Sequence, residues 1–392
     1  MAAAVARQLR TSVAPMVDVT DPCFLRLLRL ISPFGNHQLW TEMVHANAFS
    51  RGQLHQNPAK LAQHIPLREL QDFAPHVVVQ IGASAPDDAH AAVGRLAELG
   101  VRHVNLNCGC PSRNVQMGSF GAVLMKSPGL AAEIIGAMRD AARGSTCEVS
   151  VKCRIGIDDD ESSGFLRRFI AAVADQQCSD AARPARIVLH ARRAWLSGLS
   201  PKQNRKVPEL NHQRVHEMVR EFPHVSFVVN GGIDSVDAVR YHLARADGVM
   251  LGRKIREDPW FLAQLDQHVY GAPQHQIPSA AGVLAQYIQF ADQMHSQYGT
   301  RYTILARPLY ALFSGRRARA MRTHLGAAIS RATAVPGADG SPTYAVPFGI
   351  LVQDALRSAE LEFRMRVGML EPDAGADIGP REPETKQPAV AC

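Results

Sequence analysis

The stretch "HVVVQIGASAPDDAHAAVGRLAELGVRHVNLNC", residues 76–108, decides the fold. It begins with a β-branched apolar run (76–81), continues with a helical pattern (85–100) and ends with a second apolar run (103–108). A strand, a helix and another strand in this order are typical of one unit of a parallel sheet.

The same unit recurs along the first two thirds of the chain. Short apolar runs occur at 13–17, 39–43, 76–81, 103–108, 148–155, 186–191, 226–231 and 248–253. Eight such units in about 250 residues predict an α/β fold of the (β/α)8 TIM-barrel type, which we assign to residues 1–265. A doubly wound sheet is the alternative, but it usually carries a glycine-rich fingerprint after its first strand, and the sequence has none there.

The last third of the chain has a different pattern. Residues 275–370 show helical periodicity without strand alternation and predict a separate C-terminal all-helical domain, with a loop at 334–347. The tail, 371–392, is rich in proline, glycine and charge, and we expect it to be disordered.

Composition narrows the class of protein. Hydrophobic residues make up 46% of the 392 residues and charged residues 20%, as in soluble globular proteins. The sequence has no apolar run of about 18 residues, so we predict no membrane span. The net charge of +7 is compatible with a nucleic-acid partner but does not indicate one by itself.

Cysteine usage bears on the compartment. Seven cysteines are scattered along a chain without a secretory signal, which predicts reduced thiols and a cytoplasmic protein. Residues 1–12 hold two arginines and no acid, so import into an organelle stays open. We expect a monomer that binds no metal ion.

Polar residues follow nearly every predicted strand. They are Glu42, Gln80, Asn105, Asn107, Cys110, Lys152, Arg154, His190, Arg192, Asn230 and Arg253, and the predicted ends of the first and last strands also hold Met16 and Gly252. In a barrel, the loops at the carboxyl ends of the strands form the active site. Packing alone does not explain a polar residue at so many strand ends, and we predict a site there.

Two glycine-containing turns follow the last two strands, "NGGI" (230–233) and "LGRK" (251–254). The corresponding loops of barrels often bind a phosphate through backbone N–H groups, and Arg253 adds a positive charge. The alternative is that Asn-Gly only forms a turn.

Three side chains suit a ligand in the barrel mouth. Lys152 lies inside a strand and needs a partner, which could be a flavin ring, a phosphate or the carboxylate of Glu42. His190 is either a ligand contact or a hydrogen-bonded core histidine. Gln80 can donate and accept at once, as the edge of an isoalloxazine or a uracil requires.

The segment "LNCGCPS" (106–112) places two cysteines around one glycine. In an extended chain their side chains point to opposite faces, and neither zinc nor CxxC redox spacing is present. We interpret Cys108 as a packing thiol and Cys110, just past the strand, as a working thiol that acts as a general acid.

Two segments are basic. Residues 190–210 are too long for an ordinary turn and hold Arg192, Arg193, Lys202, Arg205 and Lys206 around Trp195. Cations with an aromatic residue among them favour RNA, although a solvated lid over a small-molecule site is the alternative. A second cluster, "GRRARAMR" (315–322), could clamp an extended anion together with the first or could be only a solvated helix face.

These motifs together resemble one known family. The set consists of "APMVDVTD" (14–21), "TEMVHA" (41–46), "VVQIGAS" (78–84), "LNCGCPS" (106–112), "GSFGAVLM" (118–125), "VKCRIGIDD" (151–159), "LHARRAWLSGLSPKQNRKVPEL" (189–210), "NGGI" (230–233) and "MLGRKIREDPW" (250–260). In colinear order over roughly residues 12–325, they are similar to the tRNA-dihydrouridine synthases, and the "HARRAWLSGLSPKQNR" piece points to the bacterial A type. The segment at 178–191, the loop at 334–347 and the tail match nothing in that pattern.

The resemblance implies an FMN-bearing barrel with a C-terminal helical domain that binds tRNA. It implies NADPH-dependent reduction of uridines in the tRNA D-loop near position 20, with hydride from N5 of FMN to C6 of uracil and a proton from Cys110 to C5. Cofactor contacts carried over are Pro15, Met16, Val17, Gln80, Lys152, His190, Asn230, Gly231, Gly232, Gly252 and Arg253. Substrate contacts carried over or predicted from charge are Asn107, Arg154, Arg192, Lys202 and Arg205.

Two other functions remain open at this point. An FMN barrel oxidoreductase for a free pyrimidine or a dihydroorotate-like molecule would share the barrel, but it does not explain two basic clusters. A tRNA-binding protein without catalysis would explain the clusters, but not the thiol, lysine and histidine at the strand ends.

Overall fold

The computed structural model describes residues 9–51, 54, 57–177, 185–313, 315–332, 335–336, 342–344, 346–358, 363–366 and 369–372. The chain divides into two compact units, residues 1–253 and 254–392. Each unit is described by itself below.

The first unit is a closed barrel of eight parallel strands. They are β1 (Thr11–Val13), β2 (His37–His45), β3 (Val77–Gly82), β4 (His103–Cys108), β5 (Glu148–Arg154), β6 (Ala185–His190), β7 (Val225–Asn230) and β8 (Gly248–Leu251). Each strand pairs with the next in the chain, and β8 pairs with β1 through Thr11 and Val249. The predicted TIM barrel is therefore confirmed, and closure of the sheet excludes the doubly wound alternative.

Helices separate the strands. They are α1 (Pro22–Ile31), α2 (Asn47–Ser50), α3 (Pro58–His64), α4 (Leu67–Phe73), α5 (Pro86–Glu98), α6 (Arg113–Met117), α7 (Pro128–Ala142), α8 (Ser163–Gln177), α9 (His212–Glu221) and α10 (Val236–Leu243), with 3-10 turns at Ala74–His76, Gly121–Lys126 and Gln203–Arg205. Helix α11 (Arg253–Glu257) follows β8 and begins at the last residue of the first unit. Side chains cap several N-termini: Asp21 accepts from the backbone N–H of Phe24, and Ser235 accepts from that of Ala238. These caps fix the residue at which each helix begins after a loop of the barrel.

The burial pattern explains why the strands appear as continuous apolar runs. All six residues of β3 and of β7 are buried, because one face meets the barrel interior and the other meets the helices. One layer of the interior contains Trp40, Val78, Val188, Val228, Met250 and Ala14. The interior is thus a packed core, and polar side chains collect above it.

The first strand is shorter than the sequence predicts. β1 ends at Val13, whereas residues 13–17 were expected to be extended. Proline has no N–H for the ladder, and Pro15 follows immediately after the last backbone bond, from Ala14 N to Leu251 O. Met16 therefore lies in the loop after β1 and does not close the strand.

The second unit is largely helical, as predicted. Its helices are α12 (Phe261–His268), α13 (Ala280–Tyr298), α14 (Tyr302–Ala306), α15 (Leu309–Leu312), α16 (Gly315–Arg331) and α17 (Phe348–Ser358), with a 3-10 turn at Gln274–Gln276. Helices α13 and α17 approach each other closely at Gly349. A Cβ at this position would lie 2.7 Å from Cγ2 of Ile288, so only glycine fits without a shift. Asp292 supports this contact by accepting backbone hydrogen bonds from Phe348 and Gly349.

Two short strand pairs add to this unit. They are β9 (Val335–Pro336) with β10 (Pro342–Thr343), and β11 (Phe363–Arg366) with β12 (Met369–Pro372). The first pair lies where the sequence predicts a loop, and the second lies where it predicts the end of the helical domain and the start of the tail. Residues 373–392, the rest of the predicted disordered tail, lie outside the described residues.

In the part of the chain that the structure describes, no helix combines the length and the apolar character needed to cross a bilayer.

Candidate active site

The loop after β1 forms one side of the barrel mouth. Thr20, fully buried, accepts a hydrogen bond from Met16 N at 2.9 Å and returns its own N–H to Met16 O at 2.9 Å. This tight turn leaves Pro15 and Met16 half-buried and Val17 62% exposed. Val17 is one of the few large apolar side chains that face solvent.

A chain of side-chain amides crosses the top of the barrel from β5 to β3. Asn105 donates to Ser150 Oγ at 2.9 Å, and Gln80 Nε2 donates to Asn105 Oδ1 at 2.8 Å. Asn107 Nδ2 then donates to Gln80 Oε1 at 2.8 Å. Because Gln80 donates on one side and accepts on the other, its amide has a fixed orientation.

The same amide chain ends at the Cys110 loop, residues 109–112. Asn107 Oδ1 accepts the backbone N–H groups of Gly109 and Cys110, both at 3.0 Å. Cys110 O accepts from Ala122 N at 2.9 Å. Cys110 is thus fixed through its backbone on both sides, while the residue itself is only partly buried.

Gly121 is required by this arrangement. Its φ is +74°, and a Cβ there would lie 2.7 Å from Cys110 O. Glycine adopts this conformation without steric cost and leaves room for the carbonyl. The "GSFGAVLM" motif therefore packs against the backbone of the Cys110 loop.

Arg154 joins the Cys110 loop to the long loop after β6, residues 191–210, which we call the basic loop. Its Nε donates to Gly109 O at 3.1 Å, and its Nη1 donates to Arg193 O at 3.2 Å and to Asn204 O at 3.1 Å. The residue is only 4% exposed, and burial followed by Arg205 and Arg192 lowers its pKa to about 10 against the effect of Cys110. Its expected contact with the substrate stays a prediction.

The basic loop is folded on itself. Asn204, fully buried, accepts from Trp195 N at 2.8 Å and donates to Trp195 O at 2.9 Å. Arg192 is buried and donates to the carbonyl oxygens of Lys206 and Pro208. These bonds give a long loop a defined shape without a strand or a long helix.

Lys152 and His190 lie at the ends of β5 and β6, where Arg154 pairs with His190 in the sheet register. Burial, then Arg154, lowers the pKa of Lys152 to about 7, while Cys153 and Cys110 act in the opposite direction. Glu42, the alternative partner of Lys152, has carboxylate neighbours instead: burial, then Asp21, raises its pKa to about 7.

The charges around His190 are all positive. Burial is the main reason why its pKa lies well below the usual value, and four cations lower it further: Arg154, Lys152, Arg192 and Arg253. A neutral imidazole amid four cationic side chains indicates a site that favours an anion.

The loops after β7 and β8 border this cationic region. Asn230 is buried and donates to Met250 O at 2.9 Å. Gly231 has φ +114°, and a Cβ there would lie 2.7 Å from His190 Cδ2; Gly232 has φ +70°. At Gly252, after β8, a Cβ would contact Ala14 and Met16, which follow β1. The loops after β1, β7 and β8 therefore converge.

The remaining predicted cations lie further out. Lys202 and Arg205 are exposed on the basic loop. In the second cluster (315–322), Arg319 is exposed and Arg322 donates to Tyr310 O at 3.0 Å. The side chains of residues 315–318 lie outside what the structure describes.

The other cysteines suit packing roles. Cys108 and Cys153 are opposite each other in the β4–β5 register and fully buried. Burial raises the pKa of Cys108 well above its usual value and that of Cys153 to about 12, so both stay thiols. Among the described residues, no group of three or more His, Cys, Asp or Glu side chains is arranged to hold a metal ion.

Sequence reasoning missed Gln116 and Asn204, which hold the loops of the site together. Gln116 Nε2 donates to Pro111 O at 2.8 Å and to Leu196 O at 2.7 Å. Both residues lie in irregular or short segments, where periodicity carries no information about contacts. The sequence signal for Asn204 is that it lies inside the 189–210 motif of the resemblance, whereas Gln116 lies between the motifs at 106–112 and 118–125.

Comparison with known proteins gives a consistent result. A model of the family described as "Dihydrouridine synthase (Dus)" matches residues 12–335. The chain is 40% identical over 319 residues to the tRNA-dihydrouridine(20/20a) synthase of Vibrio cholerae, a match that covers 81% of this chain and 90% of that protein. It is 40% identical over 308 residues to the Escherichia coli K12 protein of the same name, covering 78% and 82%.

The similarity to solved structures is low. The old yellow enzyme homologue from Zymomonas mobilis is 10% identical with a TM-score of 0.46, covering 67% of this chain and 89% of that chain.

Proposed function

Since the chain belongs to the dihydrouridine synthase family, we propose that it reduces uridines of tRNA to 5,6-dihydrouridine. The observation that carries this proposal is the Cys110 loop. A partly exposed thiol is held through its own backbone at the carboxyl end of the barrel, beside Lys152 and Arg154. Such a thiol can deliver a proton to one defined position.

The residues of the mouth suit a flavin phosphate. Gly231 and Gly232 have positive φ, and a side chain at Gly231 would fill the space beside His190. Arg253, Arg192 and Lys152 bring positive charge to the same place. This combination of glycine backbone and cations is what a phosphate requires.

The full set of proposed FMN contacts lies around the barrel mouth. They are Pro15, Met16, Val17, Gln80, Lys152, His190, Asn230, Gly231, Gly232, Gly252 and Arg253. When bound, FMN supplies the hydride that reduction of the C5–C6 bond of uracil consumes, and NADPH is the proposed source of its electrons. Gln80, held by two amides, offers one fixed donor and acceptor pattern to the ring.

Cys110 carries the second half of the reduction. Uracil gains a hydride at C6 and a proton at C5, so the electron pair of the double bond ends in two new C–H bonds. Cys110 gives its Sγ proton to C5, and the thiolate recovers a proton from solvent. Lys152 stabilises the negative charge that develops on the pyrimidine before C5 is protonated.

tRNA is the proposed partner, with the D-loop uridines near position 20 as targets. Lys202 and Arg205 on the basic loop can bind its phosphates, and Asn107, Arg154 and Arg192 are the proposed contacts nearer the base. Extruding a base from its stack costs a few kcal/mol, which phosphate contacts can offset. We assign catalysis to residues 1–265 and further tRNA binding to 275–370, in a monomeric cytoplasmic protein.

The test is the dihydrouridine content of unmodified tRNA after incubation with protein, FMN and NADPH, measured by nucleoside mass spectrometry. Cys110→Ala should lower the rate by about 10²–10⁴-fold, the contribution of a positioned acid. Cys147→Ala, a second partly buried cysteine, is the matched control and should keep the wild-type rate.

Two outcomes would contradict the proposal. Dihydrouridine formation at the same rate by Cys110→Ala would exclude Cys110 as the acid. Consumption of NADPH without dihydrouridine in tRNA, but with reduction of free uracil, would favour the small-pyrimidine oxidoreductase instead.

A further inference from the structure

We propose that the Cys110 loop and the basic loop act as one mechanical unit, so that binding of a polyanion to the basic loop sets the position of the Cys110 thiol. Gln116 and Arg154 are the positioning residues that join the two loops. This inference rests on the proposed function and adds how the enzyme distinguishes an intact tRNA from a free nucleoside.

Gln116 forms the bridge at the rim. Its side-chain amide has two N–H hydrogens, and the two acceptors are Pro111 O at 2.8 Å and Leu196 O at 2.7 Å. Pro111 directly follows the thiol residue, and Leu196 belongs to the basic loop, 80 residues after Gln116 in the chain. One NH2 group donates to both carbonyls. A movement of one loop relative to the other therefore breaks one of the two hydrogen bonds of Gln116.

Arg154 forms a second bridge on the other side of the thiol. It binds Gly109 O, directly before Cys110, and also Arg193 O and Asn204 O in the basic loop. The Cys110 loop is thus tied to the basic loop on both sides of Cys110. Two bridges that flank one residue control its position better than either alone.

The basic loop can transmit a displacement because it is internally bonded. Asn204 makes two hydrogen bonds to the backbone of Trp195, and Trp195 directly precedes Leu196. The exposed cations Lys202 and Lys206 flank Asn204 in the chain. Phosphate contacts at these cations therefore act on a rigid segment that ends at the Gln116 bridge.

The functional consequence concerns how binding energy is used. If remote phosphates only held tRNA on the surface, their removal would raise the Kd without changing the chemical step. If they also position the acid, their removal lowers the rate even at saturating substrate. The bridges predict the second behaviour.

Gln116→Met tests the rim bridge, because methionine has similar length and no donor. Gln213→Met is the control, since Gln213 is an exposed glutamine bonded only to Glu217 of its own helix. Lys202→Ala removes one phosphate contact. Each variant and the Gln116→Met/Lys202→Ala double variant would be assayed for tRNA affinity and for single-turnover dihydrouridine formation at saturating tRNA.

We expect Gln116→Met to keep tRNA affinity within about twofold and to lower the single-turnover rate about tenfold, with Gln213→Met unchanged. Lys202→Ala should lower that rate less in the Gln116→Met background than in the wild-type background, because only the Arg154 bridge then remains and effects that share a connection are not additive. If the two effects multiply instead, the loops are independent and the inference is wrong.

A readout without catalysis separates this inference from the proposed function. The alkylation rate of Cys110 by iodoacetamide, resolved by peptide mass spectrometry with Cys147 as internal reference, should change when unmodified tRNA is added. Gln116→Met should reduce that change, because only the Arg154 bridge still joins the two loops. A tRNA-dependent change of equal size in the variant would overturn the inference.

The outcomes remain distinguishable in each case. Wild-type protein that forms no dihydrouridine but shows the tRNA-dependent alkylation change contradicts the proposed function alone. Wild-type protein that forms dihydrouridine with multiplying effects contradicts the inference alone. If Gln116→Met lowers Tm strongly, Gln116→Asn, which keeps the amide but is one methylene shorter, replaces it in both assays.

Discussion

Asn105 shows how a single side chain below the mouth can govern residues above it. It is fully buried and touches neither Cys110 nor solvent, yet it holds Gln80, which in turn holds Asn107. Asn107 then binds the N–H groups of Gly109 and Cys110. The sequence shows Asn105 and Asn107 only as polar residues at a strand end, since the partner of an amide is set by the fold.

Asn105→Leu should therefore destabilise the protein by about 1–3 kcal/mol, because the buried Nε2 of Gln80 loses its acceptor and the hydroxyl of Ser150 loses the donor that Asn105 supplies. Asn47→Leu, at an exposed asparagine, should change the free energy of unfolding by at most about 0.5 kcal/mol. Urea denaturation measures both. Equal stability of the two variants would show that the amide chain does not stabilise the barrel.

Lys152 gives a prediction about pH. Its pKa falls to about 7 in the folded protein, mainly through burial, from an ordinary value of 10.5. Between these values the unfolded chain binds the proton more readily than the folded protein, so this group makes the folded state more stable as pH rises from about 7 to about 10. Below about pH 7 both states carry the proton, so the contribution of this group no longer changes with pH.

The unfolding free energy of wild type, relative to that of Lys152→Met, should thus increase as pH rises from 6.5 to 9.5. Lys60→Met, at an exposed lysine, serves as control and should show a flat difference. Urea denaturation of the flavin-free protein at several pH values is the measurement. A flat profile for Lys152→Met would mean that Lys152 stays charged in the folded state.

At the scale of elements, the fold was predictable where the pattern is long and repeated. Seven of the eight strands were expected from apolar runs that overlap the observed ones over most of their length. The shift of β1 comes from Pro15, and the strand pairs after α16 are too short to leave a periodic signal. The long basic loop was recognisable, but the bonds of Asn204 and Gln116 that shape it depend on tertiary contacts.

Glycines distinguish the loops of the site from the helices around it. Gly231→Ala should destabilise the protein by about 1–3 kcal/mol, because φ is +114° and the new methyl would meet the ring of His190. Gly94→Ala lies in α5 with open space around it and should stabilise the helix by roughly 0.5–1 kcal/mol. Urea denaturation compares the two, and FMN retention should fall only in Gly231→Ala.

At the scale of the whole molecule, charge is the property that sequence analysis could not interpret alone. The net charge of +7 is modest, and only the structure shows that Lys152, Arg154, Arg192 and Arg253 all act on His190. The exposed cations of the basic loop, Lys202, Arg205 and Lys206, lie further along the same loop as Arg192. Positive charge is therefore concentrated where an anionic substrate and cofactor are proposed, while the other surfaces of the barrel unit carry mixed charges in ion pairs such as Arg95 with Glu98.

This concentration predicts strongly salt-dependent binding of tRNA. Each phosphate contact releases counterions, so the logarithm of the binding constant should fall linearly with the logarithm of the salt concentration. Lys202→Ala should weaken binding of all tRNAs to a similar degree and reduce the slope by about one, the expected loss for one phosphate contact. Filter binding between 50 and 200 mM KCl measures the slope.

Lys60→Ala, which removes an exposed lysine on α3, is the control for net charge. If both variants reduce the slope equally, overall charge governs binding and the basic loop has no special part in it; if only Lys202→Ala does, the phosphate contact lies on the loop that also positions Cys110.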